Sequence, residues 1–248
     1  IDCLPGGALA ETVRTSHAIA EIANIAPNTH QPYAGWASFA HKAGLHASAL
    51  KVNAELYNHI DPSIVGNAQN VLVTEMAGRA SIELKGAELG HDLSDQPDVV
   101  TAVVAQVKKL EAEGWTFEAA DASFELLIMD GQGKEVAFEV ESWRTIVEQD
   151  ADGAVKTEAT VKVHLNGDRI ISTAEGNGPV NALDRAMRRA IVQKYPDLDT
   201  LRLVDYKVRI LDEKSGTGAK TRVLIGTSDG HDSWSTVGVH ENVIAASW

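Results

Sequence analysis

The sequence predicts an α+β protein, with helical N-terminal subdomains followed by a duplicated βββα domain. Three observations carry that prediction. Apolar residues between Pro97 and Glu113 recur with helical spacing, whereas those between Val155 and Leu165 alternate with polar ones, the period of a half-buried strand. The third is self-similarity. A shift of 63 positions lays Ser172-Thr173 on Ser235-Thr236, Val180 on Val243 and Ala182 on Ala245.

In chain order, Ala8 to Ala26 reads as a helix rich in Ala, Ile and Val, stopped by Pro27-Asn28. Pro32 to Arg79 carries Gly and His but no strong period. From Pro97 to Glu113 the stripe of Val99, Val100, Val103, Val104, Val107 and Leu110 defines a helix that Asp95 can cap and Gly114 ends. Residues 114–130 hold four acids and no base, and lead to the turn Asp130-Gly131-Gln132-Gly133, which places the domain division at 130/131. After the strand 155–165, Asn166-Gly167 is a tight hairpin turn into Arg169–Thr173. From Pro179 a helix puts Val180, Leu183, Met187 and Ile191 on one face and Arg185, Arg188 and Arg189 on the other; Tyr195-Pro196 ends it. Strands resume at 201–211, 220–226 and 233–239. Each repeat thus reads strand, strand, strand, helix, and two such layers together can bury what one cannot.

Composition narrows the function. With 248 residues, a net charge of −13 and 44% hydrophobic residues, the chain is globular and acidic, which argues against nucleic acid or an anionic membrane as partner. No apolar run approaches the ~18 residues of a membrane span. Cys3 is the sole cysteine, so an internal disulfide or a cysteine zinc site is excluded. A reducing, cytoplasmic setting is the expectation. The start at Ile1 without Met, and the stop at Trp248 in a helix-like run, read as a piece of something longer.

Few residues point to chemistry on their own. His41 and His46 are five apart, which does not align them on a helix as the i,i+4 pair of a zinc protease is aligned, and no Cys or Glu adjoins them. Either a general base or a hydrogen-bonded loop histidine fits, since an imidazole exchanges protons near neutral pH. Gly216-Thr217-Gly218-Ala219-Lys220-Thr221 lacks the Gly-Lys pair and the following helix of a phosphate loop, and reads as a glycine-rich hairpin. Gly176-Asn177-Gly178-Pro179 opens a helix whose free N–H groups favour an anion such as a carboxylate, and the repeat offers a second helix start at Asn242. The alternative there is a plain turn with Pro at the first helical position. Trp36, Trp115, Trp143, Trp234 and Trp248 are scattered, as core or interface anchors are.

Longer motifs carry a resemblance. Gln31-Pro-Tyr-Ala-Gly, Phe39-Ala-His-Lys-Ala-Gly-Leu-His-Ala-Ser, His59-Ile-Asp-Pro, Val65-Gly-Asn and Val71-Leu-Val-Thr-Glu-Met-Ala-Gly-Arg resemble the segment after the catalytic barrel of citramalate synthases. The stretch 119–127 (AADASFELL), Glu175-Gly-Asn-Gly-Pro-Val-Asn-Ala-Leu, Leu203-Val-Asp-Tyr-Lys-Val-Arg-Ile-Leu and Val237-Gly-Val-His-Glu-Asn-Val-Ile resemble the same family's C-terminal regulatory domain. The related α-isopropylmalate synthases share the regulatory pattern.

The resemblance implies an acyltransferase that condenses acetyl-CoA with pyruvate to (R)-citramalate for isoleucine synthesis. It implies a homodimer in which residues 1–130 cover the active site and residues 131–248 form the regulatory domain. The family's barrel, with its divalent metal, His-x-His ligands and acid–base Glu, has no counterpart in this sequence, so no metal ligand or cofactor is assigned here and the chain alone is expected to be inactive. By the family's pattern His46 and Tyr57 are catalytic and act on the partner's barrel. The effector pocket, for isoleucine or, in the isopropylmalate branch, leucine, falls on Val180, Asn181, Leu203, Tyr206, Ile210 and Val239, with N–H donors at the helix starts Pro179 and Asn242. A free-standing amino-acid-binding dimerisation module is the alternative from another class.

Overall fold

The structure is a computed structural model that describes residues 4–25, 27–42, 44–73, 78–134 and 137–248. Cys3 and positions 74–77 of the Val71–Arg79 motif lie outside the described residues. The chain forms two compact units, Ile1–Ala112 and Glu113–Trp248.

In the first unit a short 3-10 turn, Ala8–Glu11, leads into α1 (Thr12–Ala23). The helix is shorter than the apolar run because residues 8–11 take the 3-10 form and Asn24 takes a positive φ (53°) just after the helix, ending it ahead of Pro27. A two-residue parallel bridge follows, β1 (Ala40–His41) against β2 (Asn70–Val71), with α2 (Gly44–Val52) between them. Next come α3 (Arg79–Glu88) and α4 (Pro97–Ala112). Neither α2, inside the stretch lacking a period, nor α3, which begins where that stretch ends, is announced by the sequence, for a physical reason. α2 buries only Ala47 and Leu50, too few to make a stripe, and α3 buries Ser81, Ile82, Lys85 and Gly86, so polar side chains occupy inward positions of α3. Lys85 lays its stem inside and carries its ammonium to Glu88, 2.9 Å away. By contrast α4 matches its predicted stripe: Val100, Val103 and Val107 are fully buried.

The second unit opens with α5 (Asp121–Gly131), which the division at 130/131 would have left in the first part. Two antiparallel three-stranded sheets follow. The first is β3 (Glu139–Gln149), β4 (Val155–Leu165) and β5 (Asp168–Gly176); the second is β6 (Arg202–Ile210), β7 (Thr221–Ser228) and β8 (Ser233–His240). Each is followed by a helix, α6 (Pro179–Ile191) and α7 (Val243–Ser247). The hairpin at Asn166-Gly167 has φ of 53° and 87°, the pair of positive values that a two-residue turn of this twist requires.

The first copy closes a core. Ala159, Val161, Val163 and Ala174 of the sheet pack on Ala182, Leu183, Ala186, Ala190 and Ile191 of α6, with Met187, Trp143 and Ile244 at its margin. Arg185 and Arg189, on the polar side of α6, donate to the carbonyls of Glu175 and Thr173 and so tie the helix to β5. In the second copy α5 lies along β8, the edge strand of its sheet. There Ser123 Oγ accepts the N–H of Val237 (2.9 Å), which occupies a donor that an open edge would expose.

Candidate functional site

His46 and Tyr57 meet. Their rings stack at a centroid distance of 4.1 Å and an interplanar angle of 28°. His46 sits in the first turn of α2, directly after Gly44-Leu45, and Tyr57 ends a 3-10 turn, Ala54–Leu56. Asn53 starts that turn by accepting the N–H of Glu55 on its side-chain oxygen (3.0 Å). Tyr57 is 44% exposed, so one side of the stack is open to a reactant or to another surface.

Beneath the pair lies His41, buried to 8% exposure. Its ring stands 6.1 Å from that of His46 and 6.4 Å from that of Tyr57, close to perpendicular to both. Its Nε2 lies 3.0 Å from Asn58 Oδ1, and Asn58 Nδ2 donates to Gln69 Oε1 at 2.9 Å. His41 owes its place to the β1–β2 bridge, where its carbonyl accepts the N–H of Leu72. With Nε2 engaged by Asn58, His41 and His46 do not form an open pair of metal donors. Among the described residues no three His, Cys, Asp or Glu side chains are grouped as ligands of an ion would be.

The surrounding motif residues hold this arrangement. Asn67 Nδ2 donates to the carbonyls of Tyr33 and Gly35 (2.8 and 3.0 Å), and Asn70 Nδ2 to that of Trp36 (3.1 Å). Gly35 is required there, because a Cβ would stand 2.4 Å from the carbonyl oxygen of Thr29. Asp61 caps the turn at Pro62 by accepting the N–H of Ser63, and that hydrogen bond holds its carboxyl below the ordinary carboxylate range. The ring of His59 stacks on Phe39 at 6.0 Å and tilts against Tyr33 at 5.5 Å.

The expected effector residues are divided. Leu203, Tyr206 and Ile210 share one face of β6, since each is paired with the same side of β7 (Thr227, Ile225 and Thr221). All three are open, at 58, 37 and 54% exposure, and Tyr206 Oη lies 2.6 Å from Ser247 Oγ of α7. Val239 departs from the expectation. It pairs with Arg222, hence lies on the opposite face, where an added Cβ on Gly114 would touch it at 3.7 Å. Val180 and Asn181 open α6 in the other copy, and Asn181 Oδ1 accepts the N–H of Asn177 (3.2 Å). At the second helix start the expected donors are already spent: Asn242 Oδ1 accepts the N–H groups of Ile244 and Ala245. A separate groove of about 350 Å³ runs over the polar face of the first sheet, lined by Ser142, Arg144, Thr160, Lys162, Ile171 and Thr173, and no expected effector residue borders it.

The sequence reading named His41 without separating a general base from a hydrogen-bonded loop histidine, and it missed Asn58 and Gln69. The signal available was weak, a histidine in a two-residue strand, and only the fold brings Asn58 and Gln69 under it.

A duplicated βββα unit, preceded by a helical unit that stacks a histidine on a tyrosine, defines the class: a dimerisation-type module joined to a small helical domain. The chain belongs to the citramalate synthase and isopropylmalate synthase family. Residues 118–248 match the LeuA allosteric (dimerisation) domain, and residues 34–114 match the homocitrate synthase post-HMGL domain-like family. It is 61% identical over 247 residues to a protein of Streptomyces coelicolor named (R)-citramalate synthase, covering 99% of this chain and 46% of that one. Proteins of the same name from Aquifex aeolicus and Synechocystis are each 42% identical, over 100% of this chain and 47 and 46% of theirs. The chain spans about half the length of the curated relatives it matches. No helix among the described residues is long and apolar enough to cross a membrane.

Proposed function

We propose that the chain is the accessory and regulatory part of an (R)-citramalate synthase, acting as a homodimer. The observation that carries this reading is the His46–Tyr57 stack. The two residues that the family's pattern makes catalytic are 11 positions apart in sequence, yet they come together with Tyr57 open to solvent. The names of the relatives favour the citramalate branch over the isopropylmalate one.

In the reaction a base removes a methyl proton from acetyl-CoA, and the resulting carbanion bonds to the keto carbon of pyruvate, whose oxygen takes a proton. Water then cleaves the thioester and releases CoA and (R)-citramalate. The thioester methyl is a very weak acid, so the group that moves its proton must be held close and correctly aimed. His46 carries that proton and Tyr57 orients the imidazole, both reaching the barrel of the partner subunit. A divalent metal, which in this family polarises the keto acid, finds no donor set among the described residues, and no role here depends on it.

Isoleucine is the effector. The open apolar face of Leu203, Tyr206 and Ile210 supplies a surface for its side chain, and binding favours an arrangement in which His46 and Tyr57 no longer meet the partner barrel. A thermal-shift series on the chain tests the sensor, since a ligand at a hundredfold excess over Kd stabilises by ~2.7 kcal/mol. Isoleucine is expected to raise the midpoint selectively. A rise with leucine instead moves the assignment to an isopropylmalate synthase, and no rise with either removes the effector site. For catalysis, the chain alone is expected to release no thiol from acetyl-CoA with pyruvate. Joined to its barrel, a His46→Ala enzyme mixed with a barrel-inactivated one regains turnover only if the histidine works across subunits.

A further inference from the structure

We infer that His41 is the positioning residue of the His46–Tyr57 pair, holding both rings from below through a hydrogen-bond chain that ends at Gln69. The inference rests on reading that pair as the site. A buried polar ring costs free energy unless its hydrogen bonds are made, and an apolar side chain would fill the same space more cheaply. His41 meets the requirement in one direction only. Asn58 spends its Nδ2 on Gln69 Oε1, so the group it turns to His41 is its oxygen, which accepts. The proton of His41 is therefore on Nε2, and the chain Gln69–Asn58–His41 fixes both the tautomer and the rotation of the ring.

That rotation matters because of what leans on it. The rings of His46 and Tyr57 are 4.1 Å apart and half-buried or exposed, with no side-chain hydrogen bond between them among the described residues. Stacking alone leaves such a pair free to slide. His41 contacts both in near-perpendicular geometry, 76° to His46 and 68° to Tyr57, so a turn of its ring displaces the two together. Backbone pairing of His41 with Val71 anchors the support to β2, while Asn58 ties its ring to the loop that carries Tyr57. The role is positional; the substrate-facing groups remain His46 and Tyr57.

The test uses three variants. His41→Phe keeps a flat ring but loses the donor. His41→Gln keeps an N–H at the distance of Nε2. Asn58→Leu removes the acceptor. In the 248-residue chain, NMR of the histidine rings is expected to show the Nε2–H tautomer for His41 in the wild type. In His41→Phe and Asn58→Leu the His46 and Tyr57 ring resonances shift and the ring contacts between them weaken; in His41→Gln both are preserved. In the barrel-joined enzyme, His41→Phe is expected to lower kcat at least tenfold with KM for acetyl-CoA within twofold, and His41→Gln to recover most of it. A wild-type His41 carrying its proton on Nδ1, or a His41→Phe enzyme with unchanged kcat and ring resonances, overturns the inference. If His46→Ala and Tyr57→Phe themselves leave turnover untouched, it is the underlying reading that fails, and the NMR arm still decides whether His41 holds the rings.

Discussion

The two βββα copies share a plan and differ in what they close. Both bulge their first strand at the same repeat position, between Val140 and Ser142 in β3 and between Leu203 and Asp205 in β6, so Glu141 and Val204 stand 63 residues apart as equivalents. In the first copy the 13 residues of α6 cover the sheet and bury Val161, Val163 and Ala182 completely. In the second, all nine residues of β6 are exposed, with Val208 and Ile210 at 47 and 54%. The first copy buries its core around α6, whereas the second buries Val223, Val237 and Ala246 but leaves β6 as an open apolar strand. The two sheets thus differ in cover: one packs against a helix, and the first strand of the other leaves an apolar face open.

That division predicts unequal sensitivity to truncation. Leu183→Ala, at a position 3% exposed in the first copy, should cost about 2–5 kcal/mol, because it removes buried methyl groups and leaves a cavity. Val208→Ala on the open face of β6 should change stability by no more than about 0.5 kcal/mol. Urea unfolding of the two variants measures both. Equal losses would mean that the second face is covered in solution and that the contrast is not a property of the protein.

A second test uses glycines that bring helix and strand together. A Cβ at Gly176 would lie 2.5 Å from the backbone nitrogen of Ala182, and one at Gly238 would lie 2.1 Å from the carbonyl oxygen of Ala246. Backbone cannot yield as a side chain can, so each Ala substitution should cost about 1–3 kcal/mol locally. Because α6 is built into the core, Gly176→Ala is expected to lower the global midpoint. Gly238→Ala should instead release α7, seen as faster amide exchange at Ala246 and Trp248 with the global midpoint nearly kept.

The second unit was legible in the sequence, and the first only in outline. Strict alternation placed β4 at its true bounds, Asn166-Gly167 announced the hairpin, and the 63-residue repeat implied β3, whose own sequence alternates poorly because nearly all of it is exposed. α5 escaped notice because it buries little beyond Phe124 and Ile128. In the first unit, polar residues at inward positions of α3 erased the period, and the support under His46 depends on Asn58 and Gln69, which no local pattern joins to His41. That Val239 faces away from Leu203 was not legible either, since facing depends on register, and the register follows from how β7 and β8 pair.

The smallest predicted effect returns to the equivalent bulges. In the first copy Glu141 reaches across the sheet: Arg169 of β5 donates to both of its oxygens, Nη2 to Oε1 at 2.7 Å, and His164 Nε2 lies 3.3 Å away. The hydrogen bonds from Arg169 hold its carboxyl down to about 2 from an ordinary 4.5. A depressed carboxylate contributes stability that is complete above 4.5 and lost as pH falls toward 2, since the unfolded chain takes up the proton first. Glu141→Gln should therefore flatten part of the stability loss between pH 4.5 and 2 and leave the slope near neutrality unchanged, a modest change because the pair is open to solvent. The second copy has no such staple: Val204 stands in place of Glu141 and, by strand register, Ser233 in place of Arg169. Val204→Glu is accordingly expected to create no acid-labile contribution, and a Val204→Glu plus Ser233→Arg double variant to create one. If the double variant titrates like the single one, the two bulges are not equivalent and the second sheet has its own geometry.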